Sequence, residues 1–503
     1  MRKNILEYLE HTAARIPDKL AFSTGKEGMS FGEVLRDARA IGSFLAGEGF
    51  YAEPVVIFMD KHPHTVTAFF GAVYAGCFYV CIDEKMPPAR IAAIFESLKP
   101  RVMIADRKNL AAAKALGVER LYLYDDIVTC DADEDRLADI RRRQCDVDAI
   151  YVVFTSGSTG VPKGVVACHR SVLDYTEALT EALGFSQDTV FANQTPLYFD
   201  APLKELMPTL KLGATTYFVP KILFSFPVRL VEYLDEYRIN TVCWVVSALV
   251  QISALGALEN HTPKYLTKVA FGSEVFPRRQ YDLWRKALPQ AEFYNLYGPT
   301  EATGMSCFWH AVRELDAEEP IPVGQPFDNT GLLLLDEENK PAKPGETGEI
   351  CLRGTCVTMG YYRNPEKSGE VFVQNPLNSA WDERIYRTGD LGRINGHGEL
   401  VFLCRKDSQI KHMGHRIELG EIEAAALRLP TVSRAACVYD DRARRIVLFY
   451  TGDAGEAALS AHLAGLLPRY MLPAVLVRRQ ALPLTDNGKL DRRTLRREAE
   501  ELD

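Results

Sequence analysis

Short apolar runs alternate with amphipathic helical stretches along most of this 503-residue chain, and that alternation restricts the folds it can adopt. Strand-like runs occupy residues 149–154, 215–219 and 241–246, and the stretch 228–237 has the spacing of an amphipathic helix. Alternating strands and helices are typical of layered α/β domains with largely parallel sheets. The pattern therefore predicts an α/β fold, and 503 residues are enough for at least two folding units.

The pattern changes twice towards the C-terminus. Short strands and turns dominate from about residue 345 to 403, which predicts a β-rich subdomain. Beyond 405 we expect a helix at 417–429, a strand pair at 434–439 and 445–450, and a helix at 457–467. Residues 405–503 carry a net charge of +3, against −8 for the whole chain. We therefore predict a large N-terminal domain, 1–403, and a small α+β domain, 404–503, on a hinge.

Composition excludes several classes of protein. With 25% charged and 47% apolar residues, the chain is neither disordered nor a fibre. A net charge of −8 argues against a nucleic-acid partner. The longest apolar run, 66–82, reads as a buried helix followed by a strand, so no membrane partner is expected. Eleven cysteines without a Cys-x-x-Cys pair predict free thiols and a cytoplasmic location.

A glycine- and hydroxyl-rich loop follows the strand-like run at 149–154. Glycines allow the backbone to approach a phosphate, and successive N–H groups then surround the anion. Pro162-Lys163-Gly164 stands where a Walker loop needs Gly-Lys-Ser/Thr, so this is a different phosphate loop. Gly/Ser/Thr clusters are often simple turns, but the full run before Pro-Lys-Gly favours phosphate binding. The loop residues are Thr155, Ser156, Gly157, Ser158, Thr159, Gly160 and Lys163.

This loop resembles the phosphate-binding motif of the adenylate-forming superfamily, which includes acyl-CoA ligases, luciferases and amino-acid adenylation domains. Five further motifs follow in the family's order, at 295–301, 345–349, 386–390, 414–419 and 487–489. The resemblance covers nearly the whole chain. It implies that a substrate carboxylate attacks the α-phosphate of ATP, that pyrophosphate leaves, and that the acyl group then passes to a thiol.

The resemblance also implies roles for single residues in the nucleotide site. It assigns Ser156, Ser158, Thr159 and Lys163 to the triphosphate, with Thr155 opening the loop. The remaining assignments are Thr300 to a phosphate, Glu301 to Mg²⁺, Tyr297 to stacking on adenine, Asn295 to the adenine edge, Asp390 to the ribose hydroxyls and Arg405 to a place near the nucleotide. A carboxylate oxygen suits a hard cation such as Mg²⁺.

The resemblance also implies that the small domain rotates during the reaction, and two further residues take part in this rotation. Asp407 is the expected hinge, and Lys489 would reach in from the small domain to bridge the substrate carboxylate and the α-phosphate. An isolated lysine is usually a solvated surface charge, but the setting Asn487-Gly488-Lys489 favours a catalytic role.

The segment around Asp200 predicts the class of substrate. Amino-acid adenylation domains carry Phe-Asp here, and the Asp pairs with the substrate's α-ammonium, whereas an acyl-CoA ligase has no reason to bury a carboxylate. An exposed turn aspartate is the alternative. The spacing of the motifs implies a pocket formed by Asp200, Ala201, Lys204, Trp244, Val269, Phe271, Leu296, Gly304 and Met305. Lys204 would meet a substrate carboxylate or pair with Glu205 or Glu274, so an acidic amino acid and a small one such as alanine both stay open.

In its length and in the run 271–277, the chain resembles stand-alone D-alanine–carrier protein ligases, with two departures. Those ligases have Cys where this chain has Gly272, and a smaller residue where it has Met305. Because 14 residues after Lys489 cannot hold a carrier domain, we expect a monomer that uses ATP and Mg²⁺ and loads a separate phosphopantetheinyl carrier protein. The alternatives are an acyl-CoA ligase and a non-catalytic nucleotide-binding regulatory protein.

Overall fold

The computed structural model describes residues 2–156, 162–316, 319–406, 409–483 and 490–502. The chain forms two compact units. The larger unit comprises Met1–Glu84, Pro100–Val153 and Gly164–Cys404. The smaller unit comprises Lys85–Lys99, Phe154–Lys163 and Arg405–Asp503, and so includes two segments from the N-terminal part of the chain. The domain boundary at 403/404 stays a prediction.

The helices and strands follow each other through most of the described chain. The α-helices are α1 (Leu6–Arg15), α2 (Phe31–Gly47), α3 (Pro63–Tyr74), α4 (Pro88–Leu98), α5 (Leu110–Ala115), α6 (Tyr124–Ile127), α7 (Glu134–Arg143), α8 (His169–Ala182), α9 (Leu203–Leu212), α10 (Pro227–Glu236), α11 (Val246–Ala254), α12 (Ala257–Asn260), α13 (Arg278–Ala287), α14 (Pro365–Val371), α15 (Leu419–Leu427), α16 (Glu456–Leu466) and α17 (Arg492–Glu500). Short 3₁₀ helices lie at Lys221–Ser225, Thr300–Ala302 and Arg469–Met471.

The strands form the sheets of both units. They are β1 (Leu20–Ser23), β2 (Gly28–Ser30), β3 (Pro54–Phe58), β4 (Phe78–Cys81), β5 (Val102–Ala105), β6 (Arg120–Leu123), β7 (Ala149–Thr155), β8 (Lys163–Cys168), β9 (Val190–Asn193), β10 (Thr215–Phe218), β11 (Thr241–Val245), β12 (Lys268–Gly272), β13 (Glu292–Tyr297), β14 (Cys307–His310), β15 (Gln325–Pro326), β16 (Thr330–Leu335), β17 (Gly348–Gly354), β18 (Gly360–Tyr361), β19 (Phe372–Gln374), β20 (Arg384–Ile394), β21 (Leu400–Arg405), β22 (Gln409–His412), β23 (His415–Glu418), β24 (Val432–Asp440), β25 (Arg445–Gly452) and β26 (Val475–Arg478).

Two large sheets organise the larger unit. The nine-stranded sheet has the order β15-β14-β13-β12-β11-β9-β10-β1-β2, and the pairs from β13 through to β1 are parallel. The seven-stranded sheet has the order β18-β8-β7-β4-β3-β5-β6, with parallel pairs from β7 to β6. One apolar core combines residues from strands of both sheets with helices α2, α3, α8 and α9. The predicted α/β class with largely parallel sheets is confirmed.

The β-rich part of the larger unit is a sheet of five strands, in which the pairs β16-β17, β17-β20 and β19-β20 are antiparallel. Its order is β16-β17-β20-β19, and β21 pairs with β20. In β20, Ile385 and Tyr386 are almost fully buried. The predicted β-rich region is therefore present, with one short helix, α14, inserted in it.

The smaller unit contains the hairpin β22-β23 and the sheet β24-β25-β26. Helices α15 and α17 both pack against β24. The expected strand pair and the second helix are confirmed, whereas the helix expected from residue 417 begins only at Leu419. Ile417 and Glu418 instead end strand β23, where they pair with Ile410 and Gln409. The buried ion pair of Arg90 and Glu421 links α4 to α15.

Two further observations bear on the sequence analysis. All eleven cysteines are free thiols, and seven of them are buried. Across the described residues, each helix is too short or too polar to cross a bilayer.

Candidate active site

Asp200 lies in the loop that connects β9 to α9. Its backbone carbonyl accepts a hydrogen bond from the N–H of Leu203, the first residue of α9, at 2.9 Å. Burial raises the pKa of the Asp200 carboxyl group; a hydrogen bond from Thr300 and the charge of Lys204 oppose that rise, and the charge of Glu301 adds to it. The structure thus brings Asp200, Lys204, Thr300 and Glu301 into one electrostatic environment. A carboxylate held in this way is suited to bind a cation.

Lys204 and Glu205 follow in the first turn of α9, and both are buried. Lys204 is 2% exposed and Glu205 is fully buried. The Lys204 charge acts on Asp200, on Glu205 and on the thiol of Cys243. Burial raises the pKa of Glu205 to about 7, although Lys204 lowers it. Glu274, one partner that the sequence left open for Lys204, accepts a hydrogen bond from the N–H of Ser247 at 2.7 Å.

Thr300 and Glu301 lie in a short 3₁₀ helix whose end is strained. Glu301 is fully buried, and its Oε1 accepts a hydrogen bond from the Tyr361 hydroxyl at 2.7 Å. Thr303, at the end of the helix, has φ +53°, which is unusual for a β-branched residue. Its hydroxyl donates to the Cys356 carbonyl at 2.8 Å, which helps to hold this conformation. Such strain is common where a loop positions functional groups.

The carboxylate oxygens of Glu301 are suitable ligands for Mg²⁺. A single carboxylate combined with substrate phosphates and water is a usual Mg²⁺ site. Within the described ranges, no group of three or more His, Cys, Asp or Glu residues could hold a metal ion by itself. The donor chemistry therefore fits a cation that arrives with ATP.

The residues expected around adenine and ribose lie close together. The Tyr297 hydroxyl donates to Oδ2 of Asp390 at 2.5 Å, and both side chains are buried. Asn295 lies two residues before Tyr297 in β13, and its amide donates to the Pro322 carbonyl at 2.7 Å. Asp390 follows Gly389, whose φ is +72°.

Only part of the phosphate loop lies within the described residues. Thr155 ends β7, and its hydroxyl donates to the Lys163 carbonyl at 3.4 Å. Ser156 donates to the carbonyl of Arg416 at 2.8 Å. Arg405 is the last residue of β21. The predicted site residues Gly157, Ser158, Thr159, Gly160, Asp407 and Lys489 lie outside the described residues.

The predicted pocket residues separate into two apolar clusters. Leu296 and Met305 pack in the core that also contains Tyr175 and Cys243. Trp244, Val269 and Phe271 pack in the second core of the larger unit, and the Trp244 indole N–H donates to the Ala192 carbonyl at 2.6 Å. Because side chains alternate along a strand, Cys243 and Trp244 point to opposite faces of the sheet. A lining role for Trp244, Val269 and Phe271 stays a prediction, as does that of the partly buried Ala201.

Tyr175 is a neighbour of this site that the sequence does not reveal. It lies in α8 and is 3% exposed, and among the described residues its hydroxyl lacks a hydrogen-bond partner. A Cβ on Gly304 would lie 3.1 Å from its ring and 3.3 Å from its hydroxyl oxygen. Burial raises the pKa of Tyr175 far above its ordinary value, and Cys243, Asp200 and Glu205 add to that effect. A tyrosine at an apolar helix position looks like ordinary core, so no signal could have identified it.

Comparison with known proteins places the chain in a family. The model of the AMP-binding enzymes matches residues 9–362, and the model of their C-terminal domain matches residues 421–489. The chain is 32% identical to an L-proline–[L-prolyl-carrier protein] ligase from Streptomyces coelicolor, over 98% of this chain and 96% of that protein. It is also 28% identical to tyrocidine synthase 1 from Brevibacillus parabrevis, over 98% of this chain but 45% of that longer protein.

A solved structure shows the same fold. The adenylation domain AlmE from Vibrio cholerae, in complex with glycyl-adenosine-5′-phosphate, superposes with a TM-score of 0.86. The two proteins are 18% identical, and the match covers 100% of this chain and 98% of that one. The chain belongs to the AMP-binding enzyme family. Within that family it is an AMP-forming ligase of the amino-acid adenylation type, as the resemblance of its motifs predicted.

Proposed function

We propose that this chain activates an amino acid at the site around Asp200 and then loads it onto a separate carrier protein. In the first step a substrate carboxylate oxygen bonds to the α-phosphorus of ATP, and pyrophosphate leaves. In the second step the phosphopantetheine thiol of the carrier attacks the acyl carbon, AMP leaves, and the thiol proton is released. Transfer of an activated amino acid is supported by the relative that loads prolyl groups onto a carrier.

The position of Asp200 carries the proposal for an amino acid. Its carboxylate shares one environment with Thr300 and Glu301, the residues expected at the phosphates. A carboxylate at this place attracts the α-ammonium of an amino acid, whereas a fatty or aryl acid offers it no cation. The substrate would therefore be bound at both ends of its backbone, with its carboxylate next to the α-phosphate. Positioning of this kind supplies a large part of the catalysis in phosphoryl and nucleotidyl transfer.

The remaining residues act on the nucleotide in this proposal. Asp390 accepts hydrogen bonds from the ribose hydroxyls, and Tyr297 packs on adenine while its hydroxyl orients Asp390. Glu301 holds Mg²⁺, which when bound offsets the negative charge of the phosphates. Lys163 and Lys489 supply positive charge at the triphosphate and at the reacting carboxylate. These roles rest on the matching motifs and on the donors of each side chain.

The test is ATP–pyrophosphate exchange with a panel of L- and D-amino acids and of fatty and aryl acids. We expect exchange with at least one amino acid. We expect Asp200→Asn to lower kcat/KM roughly 10- to 100-fold, as for a lost hydrogen bond between charged groups. The matched control is Asp125→Asn, whose exposed carboxylate pairs with Arg107 and should leave exchange unchanged. A Lys489→Ala variant should lose roughly 10²-fold or more.

Two outcomes would contradict the proposal. Exchange with fatty or aryl acids but with no amino acid would make the chain an acyl-CoA ligase. A lack of exchange with any acid, together with tight ATP binding, would make it a non-catalytic nucleotide-binding protein.

The oligomeric state and the cellular location are also part of the proposal. We expect a monomer of 56.3 kDa in the cytoplasm, where a reducing environment preserves free thiols such as the exposed Cys145 and Cys404. Size-exclusion chromatography with light scattering gives the mass in solution. A mass of twice that value would contradict the monomer.

A further inference from the structure

A small cavity lies beside Asp200, bordered by strands β4 and β7 of the seven-stranded sheet and by helix α9. Apolar side chains form most of its wall, and three residues with polar ends also line it: Tyr79, Tyr151 and Asp200. About 10 Å³ of the cavity is open to the centre of a water molecule. This volume is at the lower end of the range that holds one buried water, and it is too small for any larger ligand.

The two tyrosines stand opposite each other on neighbouring strands. β4 pairs in parallel with β7, and Tyr79 is the register partner of Tyr151. Their ring centroids are 5.8 Å apart. Residues paired in this way point to the same face of a sheet, so both side chains extend to one side of it. Because Asp200 lines the same cavity, this is the side that faces the loop between β9 and α9.

The Tyr151 hydroxyl is fully enclosed and has no hydrogen-bond partner among the described residues. Burial raises the pKa of Tyr151 well above its ordinary value, and Asp200 has the largest effect among the charged groups. Burial, the Cys81 thiol and Asp200 likewise raise the pKa of Tyr79. Since charge effects weaken with distance, Asp200 is the main charge that the Tyr151 hydroxyl experiences. A buried hydroxyl without a partner is costly, so we expect its partner in the adjoining cavity.

Water is the ligand whose chemistry suits these groups. A buried water usually makes about two to four hydrogen bonds, and the two hydroxyls and the carboxylate supply three partners. Both tyrosine hydroxyls can donate to the water oxygen, and the water can donate a hydrogen to the Asp200 carboxylate, which only accepts. An anion would be repelled by Asp200, and an apolar group would leave the Tyr151 hydroxyl unsatisfied.

We propose that Tyr151 and Tyr79 hold one water molecule in this cavity, and that this water orients the Asp200 carboxylate for the substrate α-ammonium. Thr300 donates to the same carboxylate, so its direction is fixed by two neutral donors. The role of Asp200 rests on the proposed function, whereas the water site does not. Tyr151 and Tyr79 are positioning residues in this assignment: they act through Asp200 and contact neither the amino acid nor ATP.

The first test is a crystal structure of the wild-type enzyme at a resolution that shows ordered water. We expect one water within hydrogen-bond distance of the Tyr151 hydroxyl, the Tyr79 hydroxyl and the Asp200 carboxylate. The double variant Tyr79→Phe/Tyr151→Phe should have lost this water. A cavity without water in the wild type, or a Tyr151 hydroxyl bonded directly to Asp200, would overturn the water site.

The second test measures ATP–pyrophosphate exchange with the amino acid that gives the highest kcat/KM in the panel of L- and D-amino acids. Tyr151→Phe should raise the KM for this amino acid roughly fivefold, the usual effect of one net hydrogen bond, with a smaller change in kcat. The KM for ATP should not change. The control is Tyr233→Phe, in the second core, which also removes a buried hydroxyl without a partner among the described residues. It should leave both KM values unchanged.

A double-mutant cycle separates positioning through Asp200 from a general effect on the structure. If Tyr151 acts through Asp200, Tyr151→Phe should change the amino-acid KM by less than about twofold once Asp200→Asn is present. A rise of roughly fivefold in both backgrounds would show that Tyr151 acts independently of Asp200 and would overturn the positioning role. If Tyr151→Phe does not fold, as judged by its melting curve, Tyr79→Phe completes the same cycle.

The outcomes also separate this inference from the proposed function. An unchanged amino-acid KM in Tyr151→Phe would overturn the positioning role and leave amino-acid activation intact. A lack of exchange with every amino acid would overturn the proposed function and the positioning role together. The wild-type crystal structure would still decide whether the cavity holds a water.

Discussion

Gly304 offers a test of how closely the proposed pocket is packed. Its φ is +79°, and a Cβ placed on it would lie 3.1 to 3.3 Å from three atoms of the Tyr175 side chain. A Gly304→Ala substitution therefore has two destabilising effects. The left-handed backbone costs about 1–2 kcal/mol for a residue with a Cβ. The contact forces the buried ring to move by a few tenths of an ångström, which at the lower end of overpacking costs about 1 kcal/mol more.

A second glycine separates these two effects. Gly49 has φ +86° and no atom within 4 Å of its added Cβ, so Gly49→Ala carries the backbone effect alone. We expect both variants to melt at lower temperature than the wild type. We expect only Gly304→Ala to raise the KM for the amino acid in pyrophosphate exchange, by roughly fivefold for about 1 kcal/mol, with the KM for ATP unchanged. If the two variants had the same melting temperature and the same amino-acid KM, Tyr175 would not border the substrate.

Three further predictions concern stability and the metal. Burial lowers the pKa of His169 to about 3, so the folded protein keeps this imidazole neutral, whereas the unfolded chain takes up a proton below about pH 6.5. The free energy of unfolding therefore falls as the pH falls, by roughly 2–3 kcal/mol between about pH 7.5 and about pH 4.5. Melting curves of His169→Gln across this pH range should show a smaller fall than those of the wild type. Gly272→Cys should melt well below the wild type without gaining exchange with D-alanine, because the new Cβ would lie 2.3 Å from the Leu296 carbonyl oxygen. Tyr361→Phe should raise the Mg²⁺ concentration needed for half-maximal exchange roughly tenfold, because Glu301 loses a hydrogen bond. An unchanged Mg²⁺ requirement with a lower rate would contradict the assignment of Glu301 to Mg²⁺.

Much of the fold follows from local patterns in the sequence. The run 66–82 reads as helix then strand, and the structure has α3 followed by β4. The boundary of α15 was wrong because Ile417 and Glu418 have helical neighbours in the sequence but pair across the hairpin with β22. There, hydrogen bonding to the neighbouring strand outweighed the local helix propensity. The inclusion of residues 85–99 in the smaller unit depends on contacts distant in the sequence, such as Arg90 with Glu421, which no local pattern contains.

The residues proposed to bind the nucleotide could be named from the sequence for a different reason than those of the proposed pocket. Asn295, Tyr297 and Asp390 occur in motifs whose order and spacing are shared by a large family. For the proposed pocket, motif spacing names positions but not which face of a strand they occupy. Trp244 and Cys243 are neighbours in β11, and the structure packs them in different cores. Tyr175, on a helix far from any motif, becomes a candidate only when its hydroxyl, which has no hydrogen-bond partner among the described residues, is seen beside Gly304.

The three carboxylates of the proposed site share one mode of support. Thr300 donates to Asp200, Tyr361 to Glu301 and Tyr297 to Asp390, so each is oriented by a neutral hydroxyl. A hydroxyl fixes the direction of a carboxylate without cancelling its charge, whereas a bidentate arginine would do both. In the proposed function, the charge of each carboxylate remains for a ligand group of matching chemistry: an ammonium, a metal ion or ribose hydroxyls.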